Sequence, residues 1–232
     1  MPKSLLKSFL LLILLAPLLI FSLRANAQLP RVQNDPSVIL TWQALNFVPS
    51  DYQGKTLPTA GTPFTAAVEL VDNGKFASLE GSNVQWYVNG DLKQSGKNLK
   101  LFRYNPPLAN VAESYALKVK ISNYKNGGHE STVVVPLVHP ELVIDAPYPN
   151  QEVEAISSVW RALVYFFDVL SPDALSFSWS ANGETVDQPT VKNRIILDLT
   201  QAAHGAPLHL EATARFEPKL EAAGASITMK IK

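Results

Sequence analysis

The 232-residue chain contains no cysteine. Disulfides, thiolate zinc sites, iron–sulfur clusters and cysteine nucleophiles are therefore excluded, as is a lipidated cysteine anchor. There is no Asn-x-Ser/Thr sequon, so N-glycosylation is not indicated. No Gly-x-Ser-x-Gly elbow and no phosphate-binding glycine loop occurs. The four histidines, His129, His139, His204 and His209, never form a helical i, i+4 pair beside a glutamate, so a zinc site of that type is not encoded. Net charge is also missing: 20 basic residues balance 20 acidic ones. A nucleic-acid binder normally carries a strong basic footprint, and this chain does not. A chain without cysteine must rest on its apolar core rather than on disulfide staples.

What the chain does have is one stretch that occurs twice. Val84-Gln85-Trp86-Tyr87-Val88-Asn89-Gly90 is matched by Phe177-Ser178-Trp179-Ser180-Ala181-Asn182-Gly183. Alternation at period two places Trp86 and Trp179 on the inner face of a strand, and both are expected as core residues. Asn-Gly tolerates the positive φ angles of a type I′ turn, so each strand should turn back as a hairpin. At an offset of 93, Leu117 also meets Leu210. Upstream the offset is 96, and Phe64, Ala66, Val68, Leu70 and Asp72 meet Trp160, Ala162, Val164, Phe166 and Asp168. Taken alone, Trp160, Leu163, Val164 and Phe167 have helical spacing. The alternation of their repeat partner favours a strand over 159–169.

Further strands are expected at 38–44, 97–104, 115–121, 133–138, 194–199, 208–216 and 226–232, and a single helical turn at 201–206. About seven strands in about 100 residues, separated by turn signals, is a sandwich pattern. Residues 45–63 form a long loop with Pro49, Gly54, Pro58, Gly61 and Pro63, a length usually reserved for function or disorder. His139-Pro140 marks a short junction between two units that should sit end to end.

Residues 1–27 read as an export signal: Lys3 and Lys7, an apolar run from Phe9 to Leu23, then Ala25-Asn26-Ala27 as a cleavage site. The competing reading is an uncleaved N-terminal membrane anchor. The chain thus divides into 1–27, a first sandwich over 28–139 and a second over 140–232. The charge is uneven, +2 over residues 28–138 and −5 over 139–232.

These hairpins, the strand count and the repeat resemble tandem bacterial immunoglobulin-like β-sandwich domains, in the style of PKD-like modules. The fold class expected is therefore all-β, two consecutive immunoglobulin-like sandwiches. The usual acidic-glycine turn of PKD modules is replaced here by Trp86-Tyr87-Val88-Asn89-Gly90 and Trp179-Ser180-Ala181-Asn182-Gly183. The resemblance implies a non-enzymatic envelope or surface protein, extracellular or periplasmic, that acts as a structural, adhesive or protein-binding module, such as a component of a pilus or surface assembly. The alternative is an envelope enzyme or an accessory carbohydrate-binding protein.

No cofactor or metal is expected. Asp72-Asn73-Gly74 could be half of a calcium loop but is also an ordinary turn. Glu152, Glu154, Asp168 and Asp173 are an acidic scatter with no sign of a cleft. Lys100, Arg103, Lys118 and Lys120 occupy outward strand positions, together with Lys93 and Lys97. They read either as edge protection or as a basic face for a protein or glycan partner. Tyr87 and Tyr165 would add contact area to such a face. The opposite charges of the two halves allow weak, salt-sensitive head-to-tail association through Lys118 and Lys120. The competing reading is that they keep a monomer soluble.

Overall fold

The computed structural model describes residues 35–108, 113–146, 150–186 and 191–232. Residues 1–27, the expected export signal with Ala25 and Ala27 at its cleavage site, lie outside the described residues.

Eight strands build the first sandwich. They are β1 (Ser37–Ala44), β2 (Phe64–Asp72), β3 (Lys75–Ala77), β4 (Asn83–Val88), β5 (Asp91–Lys97), β6 (Leu101–Tyr104), β7 (Ser114–Tyr124) and β8 (Gly127–Pro136). One sheet has β2 at its centre, paired with β1, β3 and β6; the other runs β5-β4-β7-β8. Eight more strands follow: β9 (Glu141–Asp145), β10 (Glu152–Val153), β11 (Ser157–Tyr165), β12 (Ser176–Ala181), β13 (Glu184–Thr185), β14 (Arg194–Asp198), β15 (Pro207–Phe216) and β16 (Glu221–Ile231). They form the sheets β14-β11-β9 and β10-β16-β15-β12-β13. With the short β3 and β10 set aside, in both halves the chain lays two strands in one sheet (β1-β2, β9-β11), crosses for a hairpin (β4-β5, β12-β13), returns once (β6, β14), and ends on a hairpin in the second sheet (β7-β8, β15-β16). That crossing order is the Greek-key order of immunoglobulin-type sandwiches.

Each half has its own core. Strict alternation explains it: in β7, Tyr115, Leu117, Val119 and Ile121 are fully buried, while Ala116 and Lys120 are exposed and Lys118 is half-buried. Trp86 is 0 % exposed in one core and Trp179 is 2 % exposed in the other. The Trp86 indole stacks on Phe102 at 5.2 Å and donates to Leu99 O at 3.1 Å.

The repeat extends to register. Trp86 lies opposite Val119 and Trp179 opposite Ala212, again 93 residues apart. Asn89 and Asn182 adopt φ of 52° and 51°, and Gly90 and Gly183 follow at 87° and 83°, as a type I′ turn requires. Each asparagine also does something that turn propensity does not show. Asn89 N–H donates to Ala116 O at 2.9 Å, and its Oδ1 accepts from Ala116 N–H at 2.9 Å. Asn182 makes the same two bonds with His209, at 2.7 and 2.8 Å. The side chain thus continues the ladder past the end of the strand.

Several boundaries differ from the sequence reading. The expected strand at 159–169 is a strand, but it ends at Tyr165, where Phe166 turns to φ 63°. The repeat equivalence at offset 96 therefore holds only to Val164, because β2 runs on to Asp72. The expected strand 97–104 is the end of β5 and the short β6, split by a turn at Asn98 (φ 54°). Residues 201–206 form turns rather than a helical turn. Single-turn 3₁₀ helices occur instead at Pro172–Ala174 and Glu217–Lys219, each with a proline in its first two positions. The small strands β3, β10 and β13 carry too few residues for alternation to be read, whereas β9 alternates cleanly, with Leu142 and Ile144 buried, and was missed.

Candidate functional site at the joint between the sandwiches

Residues 36–232 form one compact unit, and the long loop 45–63 reaches from the first sandwich onto the second. The loop lacks alternation, so its polar backbone must find partners outside a ladder. It finds them on the second sandwich. Phe47 N–H donates to Phe167 O at 2.8 Å, and Phe166 N–H donates to Phe47 O at 2.7 Å. Asn46, 5 % exposed, donates through Nδ2 to Phe166 O at 2.7 Å. Phe166 is thereby held in a left-handed conformation that costs a bulky residue about 1–3 kcal/mol and persists only when its surroundings over-determine it. Tyr52 packs edge-on against Phe166 at 5.7 Å and Tyr165 at 5.9 Å.

A second set of bonds lies deeper. Thr59 and Thr62 are buried, with hydroxyls 2.7 Å apart, and Asn46 Nδ2 reaches both. Thr59 Oγ1 donates to Glu221 Oε1 at 2.5 Å, and Asp168 N–H donates to Glu221 Oε2 at 2.9 Å. Lys219 pairs with the Asp168 carboxylate and donates to Gly61 O at 3.3 Å. Glu221 opens β16 right after Leu220, a left-handed residue at φ 55°. Burial pushes its carboxyl above the ordinary glutamate range, against the opposing pull of the Thr59 and Asp168 donors. With both oxygens already accepting, Glu221 is a structural acceptor rather than a free base.

Two grooves flank the joint. One, of 710 Å³, lies between Leu45, Pro63 and Arg103 of the first sandwich and Val169, Leu170 and Phe216 of the second. The other, of 530 Å³, lies between loop residues Phe47, Pro49, Ser50 and Asp51 and strand β11, with Arg161 and Arg194 in its lining. Concavity was not legible in the sequence, because both grooves need walls from segments far apart in the chain.

The four candidate partner-binding residues do not form one face. Arg103 lies on β6 and Lys100 just before it, in one sheet; Lys118 and Lys120 lie on β7, in the other. Lys118 pairs with Glu130 at 2.9 Å and Lys100 with Glu69 at 2.8 Å, so both charges are answered within the chain. Arg103 instead joins the larger groove. Lys93 pairs with Asp91 at 3.2 Å. Tyr165 packs under Tyr52 instead of standing free.

The Asp72-Asn73-Gly74 turn is occupied by protein groups. Asp72 Oδ2 accepts from Tyr124 Oη at 2.7 Å and pairs with Lys125 at 2.5 Å. The Lys125 ammonium holds the Asp72 carboxyl below its usual range. Among the described residues no group of three His, Asp or Glu side chains is placed to hold a metal ion. The acidic scatter is dispersed: Glu152 pairs with Lys232 at 2.9 Å, Asp168 with Lys219, and Asp173 accepts from Ser171 Oγ at 3.0 Å. His209 sits between Thr228 and Glu211, at 2.8 and 3.2 Å.

Sequence reasoning missed Asn46, Thr59, Thr62 and Glu221. The one signal available was the unusual length of the loop that carries the first three.

No family model matches the chain, and no curated protein matches it. Among solved structures, it is similar to three N-terminal domains of the bacteriophage RB49 Highly Immunogenic Outer Capsid protein, at 15% identity over 85% of this chain and 59% of that one, with a TM-score of 0.46. It is also similar to the Bacteroides ovatus mixed-linkage glucan utilization locus protein SGBP-B in complex with a mixed-linkage heptasaccharide, at 12% identity over 86% of this chain and 47% of that one, with a TM-score of 0.26. A third is Sidekick-1 immunoglobulin domains 1–4, at 12% identity over 85% of this chain and 69% of that one, with a TM-score of 0.29. The chain thus spans less than two thirds of the first two. At these scores we take the fold from its own sheet order and nothing further from the neighbours.

Proposed function

We propose that this chain is an exported, non-enzymatic module of the cell envelope that binds a partner across two stiffly joined sandwiches. The observation that carries the reading is the joint. A loop long enough to be mobile is instead consumed in buried hydrogen bonds through Asn46, Thr59 and Glu221. A fixed angle between two sandwiches serves a protein that must hold surfaces at a set spacing; a tether would need no such contacts. The division into units 28–139 and 140–232 belongs to the same proposal, as does export directed by residues 1–27 with cleavage after Ala27 or retention as an anchor. Partners of this kind are envelope proteins or glycans.

Two measurements test it. Affinity capture from envelope extract should recover a defined partner, and variants that loosen the joint should recover less. Cell fractionation should find the chain outside the cytoplasmic membrane, and intact-mass analysis of that fraction should decide between cleavage after Ala27 and retention of the anchor. A cytoplasmic product that begins at Met1 refutes the export reading, and capture insensitive to the joint refutes the role given to stiffness.

A further inference from the structure

In the 530 Å³ groove, Arg161 of β11 lies directly opposite Arg194 of β14 in the antiparallel register. Both are exposed and occupy outward positions beside Trp160 and Ile195, which face the core. Like charges facing each other across a strand pair are destabilising. On its other side Arg161 faces Asp145 of β9. No ion pair within 4.0 Å joins either guanidinium to Asp145, or to any other carboxylate among the described residues. Two arginines at facing register positions in one groove, neither answered by a carboxylate within 4.0 Å, can take an oxyanion in bidentate fashion.

The rest of the groove narrows the ligand. Asp51, Asp145 and Ser50 line it too. Asn193 donates Nδ2 to Ala162 O at 3.3 Å, which leaves its Oδ1 free to accept. A ligand with many negative charges would be repelled by the two aspartates. A ligand with one carboxylate and several hydroxyl groups satisfies both sets: the carboxylate meets the arginines, and the hydroxyls donate to Asp51, Asp145 and Asn193. Pro49, Pro172 and Phe47 supply apolar contact for ring C–H faces. The volume falls within the range of small-ligand sites.

The geometry points to this groove as a binding site for a sugar acid, a uronate-type unit gripped by Arg161 and Arg194. The site is composite: loop 45–63 supplies one wall, so it exists only while the joint is closed. It rests on the reading of the chain as a binding module and names a ligand class for it.

The test is titration of the full chain, in mild detergent, with sodium glucuronate, followed by ligand-observed and amide NMR. Glucose, acetate and glycine serve as controls. Saturable binding of glucuronate is expected, at least about tenfold tighter than glucose or acetate, since each charge-assisted contact carries roughly that factor. Arg161→Ala and Arg194→Ala should each weaken it by about tenfold or more, while Lys120→Ala leaves it unchanged. Arg194→Lys guards against misfolding: it keeps the charge, loses the fork, and should bind weakly with an unaltered amide spectrum. Equal binding of acetate or glycine overturns the sugar assignment, and binding indifferent to both arginine variants overturns the site. If glucuronate fails while envelope partners are still captured by Arg161→Ala, the ligand class is wrong and the binding-module reading stands.

Discussion

Glu221 offers the sharpest test of the joint. Its carboxylate is 8 % exposed and accepts from Thr59 Oγ1 and Asp168 N–H, one donor from each sandwich. Glu221→Ala removes both acceptors. A hydrogen bond to a charged group is worth about 1.5–3 kcal/mol. Thr59 still has Thr62 at 2.7 Å, and the variant is spared the desolvation of a buried charge, so a net loss of about 2 kcal/mol is expected. Glu221→Gln is different: its amide can donate to Thr59 Oγ1 while its oxygen accepts from Asp168 N–H, so it should stay within about 1 kcal/mol of wild type. The pH dependence separates the two forms. Because burial raises the folded pKa above the unfolded one, this group's contribution is complete below the unfolded pKa, near 4.5, and is lost as pH rises through the raised folded value. Urea denaturation followed by tryptophan fluorescence, at steps from pH 4 to pH 8, reads this directly. Wild type should lose stability over that window relative to Glu221→Gln. If the two profiles run parallel, or if Glu221→Ala is as stable as wild type, the buried-carboxylate account is wrong.

Other outcomes follow from the same structure. Trp86→Ala and Trp179→Ala should each cost about 3–5 kcal/mol in denaturation, as for other large buried aromatics, and a cost under about 1 kcal/mol would contradict their burial. Gly61→Ala should cost about 1–3 kcal/mol: Gly61 sits at φ 79°, and an added Cβ would stand 3.2 Å from Leu108 Cα, where backbone cannot easily give. An unchanged denaturation midpoint would mean the loop relaxes freely. Lys118→Glu with Lys120→Glu should leave the sedimentation coefficient unchanged at moderate salt, since Glu130 already answers Lys118. A salt-dependent shift that the double variant abolishes would restore self-association through that face.

Period-two alternation made the long strands legible, because in β2, β4 and β7 large apolar residues on one face are buried while the other face is half-buried or exposed. The internal repeat then overruled the helical spacing around Trp160 that local pattern alone would favour. Residues at the joint obey no period. Asn46, Thr59 and Glu221 meet across sequence separations of up to 162, and nothing local marks them. Arg161 and Arg194 are ordinary outward strand positions until their register is known. The lysines misled for the same reason: outward alternation gives a direction relative to a strand, not which of two sheets the strand belongs to.

The asparagine that closes each hairpin also bears on how the protein ages. Asn-Gly is the dipeptide most open to succinimide formation, because glycine leaves its amide nitrogen unhindered to attack the asparagine side-chain carbonyl. In both hairpins that carbonyl oxygen is held by the neighbouring strand, by Ala116 N–H and by His209 N–H. The attack requires the side chain to swing away from this bond, so deamidation waits for local opening of the hairpin. Isoaspartate at Asn89 and Asn182 would then accumulate in proportion to the time each sandwich has spent open, leaving a chemical record of unfolding in each half of the molecule.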